Sequence, residues 1–442
     1  MTFRCKKLLM LAVVLVIVLF AVKPLPAAYR ITLQPSISVS EEYTNNFDLT
    51  EEDKESEWIT TISPSLALNV LGKTEGLNLN YTPGFSLYAK NEEDSTIRHS
   101  ASLGAWKQLS KHLRLSIDNS YTRTEEPYET VTIPLSPEEV QGLEPEDYTI
   151  RRDREPHSSY NGRLNLDYQF GKKDNLGFSY RFRRTWDENP GIEDSIEHSP
   201  EANLSYWLTP HWGTEYSVGY TRGEFTEDTD TFDEWTLGYK LIHNFNRFWD
   251  GFFEYKHTFM NYQGETEDYQ VFDPSLGINW RFAKDGSLSL SLGYYVQDKE
   301  DSDNESNLSV SGDLSKGFDI SRRTSFRITG GSGYEQSYFG AENLGFTVYY
   351  EGQGRLTHAL TKHLNSDLSV SYRRNEYKDE EPERDDNIWS FEGGLTWQFI
   401  ERASLSLTDT YRVVDSNQEG EDYEENKVML SITYTPKPYL FK

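Results

Sequence analysis

The chain has 442 residues, a formal net charge of −28 and a mean hydropathy of −0.71. Such acidity argues against nucleic acid as a partner, and such low hydropathy argues against a bundle of membrane helices. The 29 Tyr, 23 Phe and 10 Trp residues are too many for a disordered acidic protein.

The N-terminus carries the one continuously apolar stretch, Leu8 to Val22. Arg4, Lys6 and Lys7 precede it, and the small residues Ala27 and Ala28 follow. These are the three regions of a secretory signal peptide, which we predict over residues 1–28. A retained anchor helix is the alternative, although the run is short for a span of about 20 residues.

The only cysteine, Cys5, lies inside this predicted signal. Residues 29–442 therefore offer no disulfide, no cysteine metal site and no cysteine nucleophile. Without the four cations of residues 1–28, the formal net charge is about −32.

Apolar and polar residues alternate with a period of two along nearly the whole remaining chain. The clearest example runs from Trp389 to Phe399, turns at Glu401 and Arg402, and resumes from Ser404 to Tyr411. A period of two predicts strands with one apolar and one polar face. The predicted strands are, in chain order, 31–40, 58–70, 77–87, 103–109, 113–121, 160–170, 176–182, 204–208, 216–220, 235–241, 253–259, 276–282, 288–294, 308–314, 326–328, 346–356, 364–372, 389–399, 404–411 and 428–434.

Counting connections gives about nine short turns and ten longer, acidic loops, and hence about 20 strands (18–20). We predict an all-β fold: a transmembrane antiparallel up-and-down β-barrel, formed by residues 29–442 as one domain. In outer-membrane barrels an even strand count places both termini and the short turns in the periplasm. A strand of about 10 tilted residues crosses an apolar band of about 25 Å.

A soluble β-barrel or sandwich is the alternative fold, because the same apolar stripes would then form its core. Tyr and Trp near strand ends, as in interfacial belts, favour the membrane barrel. One feature resists both interpretations. Pro64, Pro83, Pro200 and Pro274 fall inside predicted strands, and we expect bulges or strand ends there because proline lacks the ladder donor.

The first 90 residues contain three segments that resemble a known family. They are Pro35–Phe47 (PSISVSEEYTNNF), Ile59–Leu66 (ITTISPSL) and Tyr81–Phe85 (YTPGF). Together they are similar to the outer-membrane β-barrel porins encoded near exopolysaccharide-export or exosortase-type loci. The resemblance implies a Gram-negative outer-membrane barrel, and it makes a polysaccharide or its export components the first candidates for cargo and partners.

The C-terminal end departs from the common outer-membrane pattern. Phe441 is followed by Lys442, and Pro436 and Pro438 interrupt the approach. We therefore expect the signal for the barrel-assembly machinery in Val428 to Tyr434.

A barrel of this size needs a channel or a plug inside it. The predicted inward register carries charges of both signs, which either set the field on a passing solute or form salt bridges along the wall. The candidate lumen-lining residues are Arg163, Arg181, Arg183, Arg281, Arg327, Arg355, Arg373, Asp167, Glu201, Glu215, Glu254, Asp273, Glu351 and Asp367.

The longest loop, Arg123 to Pro156, is expected either as a displayed acidic surface or as an inward-folding gate. No catalytic, cofactor or metal-binding set emerges: there is no Walker loop, no Rossmann glycine pattern and no zinc motif. His157 and His198, each beside a serine, are the candidates for an alternative function as an outer-membrane hydrolase.

The sequence thus predicts a non-enzymatic outer-membrane channel for a hydrophilic solute, linked to exopolysaccharide export. The alternative is a structural or surface-adhesive barrel with a closed lumen. The predicted partners are outer-membrane lipid and lipopolysaccharide, the barrel-assembly machinery and polysaccharide-export components. Neither a cofactor nor nucleic acid is expected.

Overall fold

The computed structural model describes residues 29–91, 95–127, 154–189, 191–226, 229–284, 286–300, 304–318, 323–337, 344–379 and 382–441. The predicted signal peptide and most of the longest loop lie outside these ranges. Within them, no helix has the length and apolar character needed to cross a membrane.

The described residues form one antiparallel sheet of 21 strands. Twenty strands are long, and the last has three residues. The strands are β1 Arg30–Thr44, β2 Glu57–Leu71, β3 Glu75–Tyr88, β4 Thr96–Ser110, β5 Leu113–Thr124, β6 His157–Gln169, β7 Asn175–Asp187, β8 Ser195–Trp207, β9 Trp212–Phe225, β10 Phe232–Asn244, β11 Trp249–Tyr262, β12 Tyr269–Ala283, β13 Gly286–Lys299, β14 Glu305–Phe318, β15 Thr324–Ser337, β16 Gly345–Ala359, β17 Leu364–Tyr377, β18 Arg384–Ile400, β19 Ala403–Ser416, β20 Tyr423–Tyr434 and β21 Tyr439–Phe441.

Each long strand pairs with the next in sequence, and β1 pairs with β20 from Ile37↔Tyr434 to Thr44↔Lys427. After the break at residues 435–438, β21 continues this seam along the start of β1. The result is a closed barrel of 20 strands, which confirms the predicted fold class. Closure removes the free edges of the first and last strands, and among the described strands only the seam between β14 and β15 has a long unpaired stretch. Lipid requires such closure because it cannot hydrogen-bond to backbone groups.

The connections differ in length at the two ends of the barrel. Nine of two to five residues follow the even-numbered strands β2 to β18. Ten of five to 32 residues follow the odd-numbered strands β1 to β19, as counted from the sequence. We name the two ends the short-turn end and the long-loop end, and they correspond to the periplasmic and extracellular ends of outer-membrane barrels.

The apolar stripes of the sequence lie on the outer face of the barrel. Leu276 and Leu292, for example, are 64% and 57% exposed at mid-strand. Large aromatic residues, among them Trp58, Trp235 and Trp389, also face outward and are exposed. Exposed apolar side chains over an entire wall indicate a lipid-facing surface, because soluble monomers rarely show patches of this size.

The expectation of bulges or strand ends at the four prolines was wrong. Pro200 interrupts the β8–β9 ladder at residues 199–200, yet the same register resumes at Glu201↔Gly219, and Pro200 still pairs with Tyr180 of β7. Pro274 does the same between β12 and β13. Pro64 and Pro83 fall in one gap between β2 and β3. A proline lacks only one hydrogen-bond donor, its backbone N–H. The ladder is therefore interrupted on one side only, and the register is kept.

Charge on the outer face is predicted to be far more damaging than charge on the inner face. Leu292→Arg places a guanidinium against lipid and should lower the free energy of unfolding by about 2–4 kcal/mol. The neighbouring Ser291 faces the lumen, so Ser291→Arg should change it by less than about 1 kcal/mol. Urea unfolding in phospholipid vesicles measures both, and equal losses would contradict the assignment of the two faces.

Candidate functional site

The inner face of the barrel is buried at the long-loop end and exposed at the short-turn end. At the long-loop end, Glu57 and Tyr295 are 0% and 1% exposed although they point into the lumen. At the short-turn end, the side chains of Arg281 and Arg355 are 58% and 60% exposed. The lumen is therefore a water-accessible vestibule at the short-turn end and a packed region at the long-loop end.

One part of the packing is the connection between β1 and β2, residues 45–56, which we call the inner loop. Phe47 is 3% exposed and contacts Ile59 and Tyr88 on the inner faces of β2 and β3. Leu49 is 2% exposed and contacts the inner faces of three strands on the other side of the β1–β20 seam. Its partners there are Ile388, Val414 and Tyr423. The inner loop thus folds into the lumen and bridges inner faces on both sides of the seam.

Hydrogen bonds hold the inner loop in this position. The buried side chain of Asn46 donates to the carbonyl oxygens of Thr50 (2.7 Å) and Glu424 (2.9 Å). The φ angles of Leu49 and Asp53 are both 53°, in the left-handed region that non-glycine residues rarely adopt. Packing of Leu49 offsets this backbone strain, so the loop depends on its docked position.

A charge network connects the inner loop with both flanks of the longest loop. Arg98 Nη2 lies 2.6 Å from Glu125 Oε1 and 2.7 Å from Glu126 Oε1. Lys427 Nζ of β20 lies 3.6 Å from Glu126 Oε2. From the other flank, Arg154 Nε donates to the carbonyl oxygen of Phe47 at 2.6 Å. Both flanks therefore enter the lumen, whereas residues 128–153 between them lie outside the described ranges.

The network keeps the Glu126 carboxylate ionised. Burial alone would raise its pKa, but Lys427, Arg98 and Arg154 outweigh that effect and lower the pKa from 4.5 to about 2. A carboxylate with a depressed pKa contributes stability that is present above pH 4.5 and is lost as the pH falls through about 2. The packed mouth should therefore loosen in that window.

The second part of the packing comes from the long-loop ends of β15 and β16, residues 332–337 and 344–350, which we call the infolded hairpin. Phe346 and Val348 are 0% and 3% exposed. With Tyr334 and Tyr350 they pack against side chains on the inner faces of β10 to β13. Those side chains are Phe232, Met260, Tyr269, Val271 and Tyr295.

The opposite face of the infolded hairpin is anchored by Arg373 of β17. Its guanidinium donates to Glu335 of β15, to Glu351 of β16 at 3.1 Å and to Asn375 at 2.8 Å. The same group lies 4.7 Å from the ring of Tyr349. One arginine therefore connects three consecutive strands.

All fourteen candidate lumen-lining residues occupy positions of the inner-face register. The ion pairs described for nine of them join Arg181 and Arg183 to Glu197, Arg281 to Asp250, Arg327 to Asp313, Arg355 to Asp367, Arg373 to Glu335 and Glu351, and Glu254 to Lys240. Arg163, Asp167, Glu201, Glu215 and Asp273 complete the set. Arg183 and Arg373 are buried. Contact of these residues with a solute stays a prediction.

Two features of the site escaped the sequence analysis. Residues 346, 348 and 350 were expected to face lipid, but the structure packs Phe346 and Val348 inside the lumen. The inner loop was interpreted as an acidic outer loop, although its apolar residues Phe47 and Leu49 were a signal for burial. Alternation in a strand cannot reveal that a barrel wall curls inward.

The two candidate hydrolase histidines lie on opposite faces of the wall. His157 is buried on the inner face, with Nδ1 3.3 Å from the carbonyl oxygen of Glu155. His198 shares the outward register of Tyr180, whose hydroxyl lies 2.7 Å from His198 Nδ1. The two histidines therefore do not belong to one site. Within the described ranges no cluster of His, Cys, Asp or Glu suits a metal ion.

Removing the apolar anchor of the inner loop should release it. Leu49→Ala costs about 2–4 kcal/mol of packing, so the undocked population should rise at least about tenfold. Tryptic cleavage after Lys54 measures this release. Glu52→Ala, at an exposed position of the same loop, is the matched control. Equal cleavage in the two variants would contradict the docking of Leu49.

Acid should release the inner loop in the window set by Glu126. Pepsin cleavage at Phe47 and Leu49, normalised to the unfolded protein, should increase as the pH falls from 4.5 to about 2. Glu126→Gln removes the charge permanently and should be cleaved equally at both ends of that range. A flat profile in the unsubstituted protein would contradict a role of the charge network in holding the inner loop.

Comparison with models of protein families agrees with the barrel. Residues 341–435, which span β16 to β20, match the family model described as "Putative beta-barrel porin 2". Among curated protein sequences, none matches the chain.

Similar solved structures include OpdK from Pseudomonas aeruginosa, at 12% identity and a TM-score of 0.45, covering 91% of this chain and 99% of that one. OpdL from the same organism has 12% identity and a TM-score of 0.41, covering 92% and 99%. OccAB2 from Acinetobacter baumannii has 13% identity and a TM-score of 0.42, covering 93% and 98%.

The family match confirms the resemblance to β-barrel porins and agrees with the prediction that the chain is not an enzyme. The closed 20-strand sheet and its exposed apolar outer face agree with the match to a β-barrel family. This chain is a porin-like β-barrel of the outer membrane.

Proposed function

We propose that the barrel is a channel for a hydrophilic solute and that the structure represents a state closed at the long-loop end. The observation that carries the proposal is the charged, water-exposed inner face at the short-turn end, with Arg281 and Arg355 more than half exposed. A barrel of 16 to 18 strands already encloses an aqueous lumen, so one of 20 has room for a solute.

The chemistry of the vestibule supports an acidic carbohydrate as the solute class. The ring of Trp106 in β4 lies over Gly76, and Arg114 Cζ is 5.3 Å from the centroid of that ring. On the inner face of β8, the ring of Trp207 lies over Gly213, and Lys173 Nζ is 3.6 Å from the ring centroid. An indole offers apolar contact to a sugar ring and the neighbouring cation attracts a carboxylate. These pairs support the link to exopolysaccharide export.

A basic pocket at the short-turn mouth supports the same solute class. Lys362, Arg402 and Lys437 line it together with the single acid Glu401. In a chain of net charge −28, a local cluster of cations would concentrate an anionic polymer arriving from the periplasm. Polysaccharide-export components would then be partners at this end. Outer-membrane lipid, lipopolysaccharide and the assembly machinery are the partners that a barrel of this kind requires.

A structural or adhesive barrel is the second candidate function, and the packed long-loop end favours it. Conductance in planar bilayers distinguishes the two functions. The channel proposal predicts stable open steps once the inner loop is shortened by replacing residues 46–55 with Asn-Gly, a two-residue turn that strands accept. Silence of both this variant and the unsubstituted protein would favour the structural role.

The exposed arginines should set the ion selectivity of the vestibule. In the shortened-loop protein, Arg281→Glu together with Arg355→Glu should shift the reversal potential in a salt gradient toward cation selectivity. Asp250→Asn together with Asp367→Asn removes the partner charges and should shift it the other way. If neither pair moved the reversal potential, ions would not be passing along this face.

A further inference from the structure

We propose that the infolded hairpin is a gate: in its present position it narrows the lumen, in addition to the inner loop, and it widens the lumen by rejoining β14 in the barrel wall. This inference rests on the proposed channel function. It is carried by a split in the wall, by two matched apolar surfaces and by a latch between β13 and the end of β17.

The split lies between β14 and β15. Their ladder begins at Phe318↔Thr324 and ends at Val310↔Ser332. Beyond that point β14 still pairs with β13 as far as Glu305, and β15 still pairs with β16 as far as Ser337. Five residues of each strand therefore run on without pairing with each other. Among the described strands, no other seam has so long an unpaired overlap.

The side chain of Ser332 closes the end of the ladder. Its hydroxyl accepts from the backbone N–H of Val310 at 3.0 Å and donates to the carbonyl oxygen of Leu308 at 3.5 Å. Beside it, Gly330 and Gly331 allow the backbones to approach closely. A Cβ on Gly330 would lie 3.1 Å from the carbonyl oxygen of Glu351, and one on Gly331 would lie 3.1 Å from that of Val310. The wall can bend here because these positions carry no side chain.

The first apolar surface is the face that the hairpin buries in the closed state. Its residues share the register that faces lipid in the halves of β15 and β16 nearer the short-turn end. They are Tyr334, Phe346, Val348 and Tyr350. If the β14–β15 ladder continued in register, Tyr334 would stand beside the exposed Leu308. The sequence of the hairpin therefore suits a lipid-facing position that the present structure does not use.

The second apolar surface is the patch on the lumen wall that receives the hairpin. Phe346 and Tyr269 have ring centroids 5.8 Å apart, and Tyr334 and Tyr295 have centroids 4.9 Å apart. A contiguous apolar patch on an otherwise polar inner face is unfavourable in water, and the hairpin covers it, so the patch serves as a docking surface. The apolar face of the hairpin thus has an apolar environment in both positions: the lumen patch when it is docked, and lipid when it lies in the wall. A two-state element requires such a pair of environments.

Docking also carries a cost that withdrawal would relieve. The Gln297 side chain, on the inner face of β13, is 0% exposed, and neither amide atom has a hydrogen-bond partner in the described structure. A buried amide without partners is unfavourable by about 1–3 kcal/mol. Water would satisfy it once the hairpin moved away, which lowers the free-energy cost of opening.

An ion pair latches the closed state. Lys299 Nζ at the end of β13 lies 3.5 Å from Asp379 Oδ1, in the loop after β17. The other oxygen of Asp379 accepts from the backbone N–H of Phe346 at 2.6 Å. The same residue thus connects the hairpin to the wall across the split.

A disulfide that restores the missing ladder tests the gate. In register with Val310↔Ser332, the next inward-facing pair is Ser309 and Gly333, whose Cα atoms would come within about 5.5 Å if the hairpin returned. We expect Ser309→Cys with Gly333→Cys, in a Cys5→Ser background, to cross-link on mild oxidation. In the shortened-loop protein, single-channel conductance should then rise at least about twofold and fall again on reduction.

The matched control is Ser291→Cys with Ser311→Cys, on the neighbouring β13–β14 seam. These serines are register partners on the adjacent strands β13 and β14, both on the inner face, and their hydroxyl oxygens are 2.6 Å apart. They should cross-link without any change in conductance. Lys299→Ala, which removes the latch, should speed cross-linking of the 309–333 pair.

The outcomes separate the gate from the channel. If the control pair cross-links and the 309–333 pair does not, or if the latter cross-links without raising conductance in a protein that conducts, the gate is wrong and the channel stands. If no form of the protein conducts, including the shortened-loop variant, the channel fails and the gate fails with it.

Discussion

The structure depends on one constraint, which is that backbone N–H and C=O groups in hydrocarbon must find partners within the protein. Twenty strands meet it by closing β1 onto β20. Even the in-strand prolines respect it, since each opens the ladder on one side and leaves the other side and the register intact. The β14–β15 seam departs from the rule near the long-loop end, which is why that seam attracts a functional interpretation.

The lumen is organised by a gradient of burial along the barrel axis. At the short-turn end the charges of the inner face stay hydrated, and ion pairs such as Arg355–Asp367 contribute little energy there. At the long-loop end the charges are buried, so each must be paired. Arg98 and Arg373 therefore each contact two carboxylates. The same residue types thus serve solvation at one end and closure at the other.

Closure is achieved by two separate elements that share a physical logic. The inner loop inserts Phe47 and Leu49 between inner faces, and the infolded hairpin inserts Phe346 and Val348. In both, apolar burial supplies the attraction, and a charged group fixes the position: Arg154 at the loop and Arg373 at the hairpin. Because both elements lie at one end, a solute in the vestibule would meet a closed outer mouth.

The sequence by itself determined the membrane class, the strand count and the two faces of the wall, because alternation is a local property of each strand. It also placed the fourteen lumen candidates in the inner register. Which of them are paired, and which are buried, was decided by tertiary structure, since Arg373 meets Glu335 only where β15 curls inward. The positions of Phe47 and Phe346 were beyond prediction for the same reason: a period of two specifies a face, and only the closed sheet with its infolded segments specifies what that face contacts.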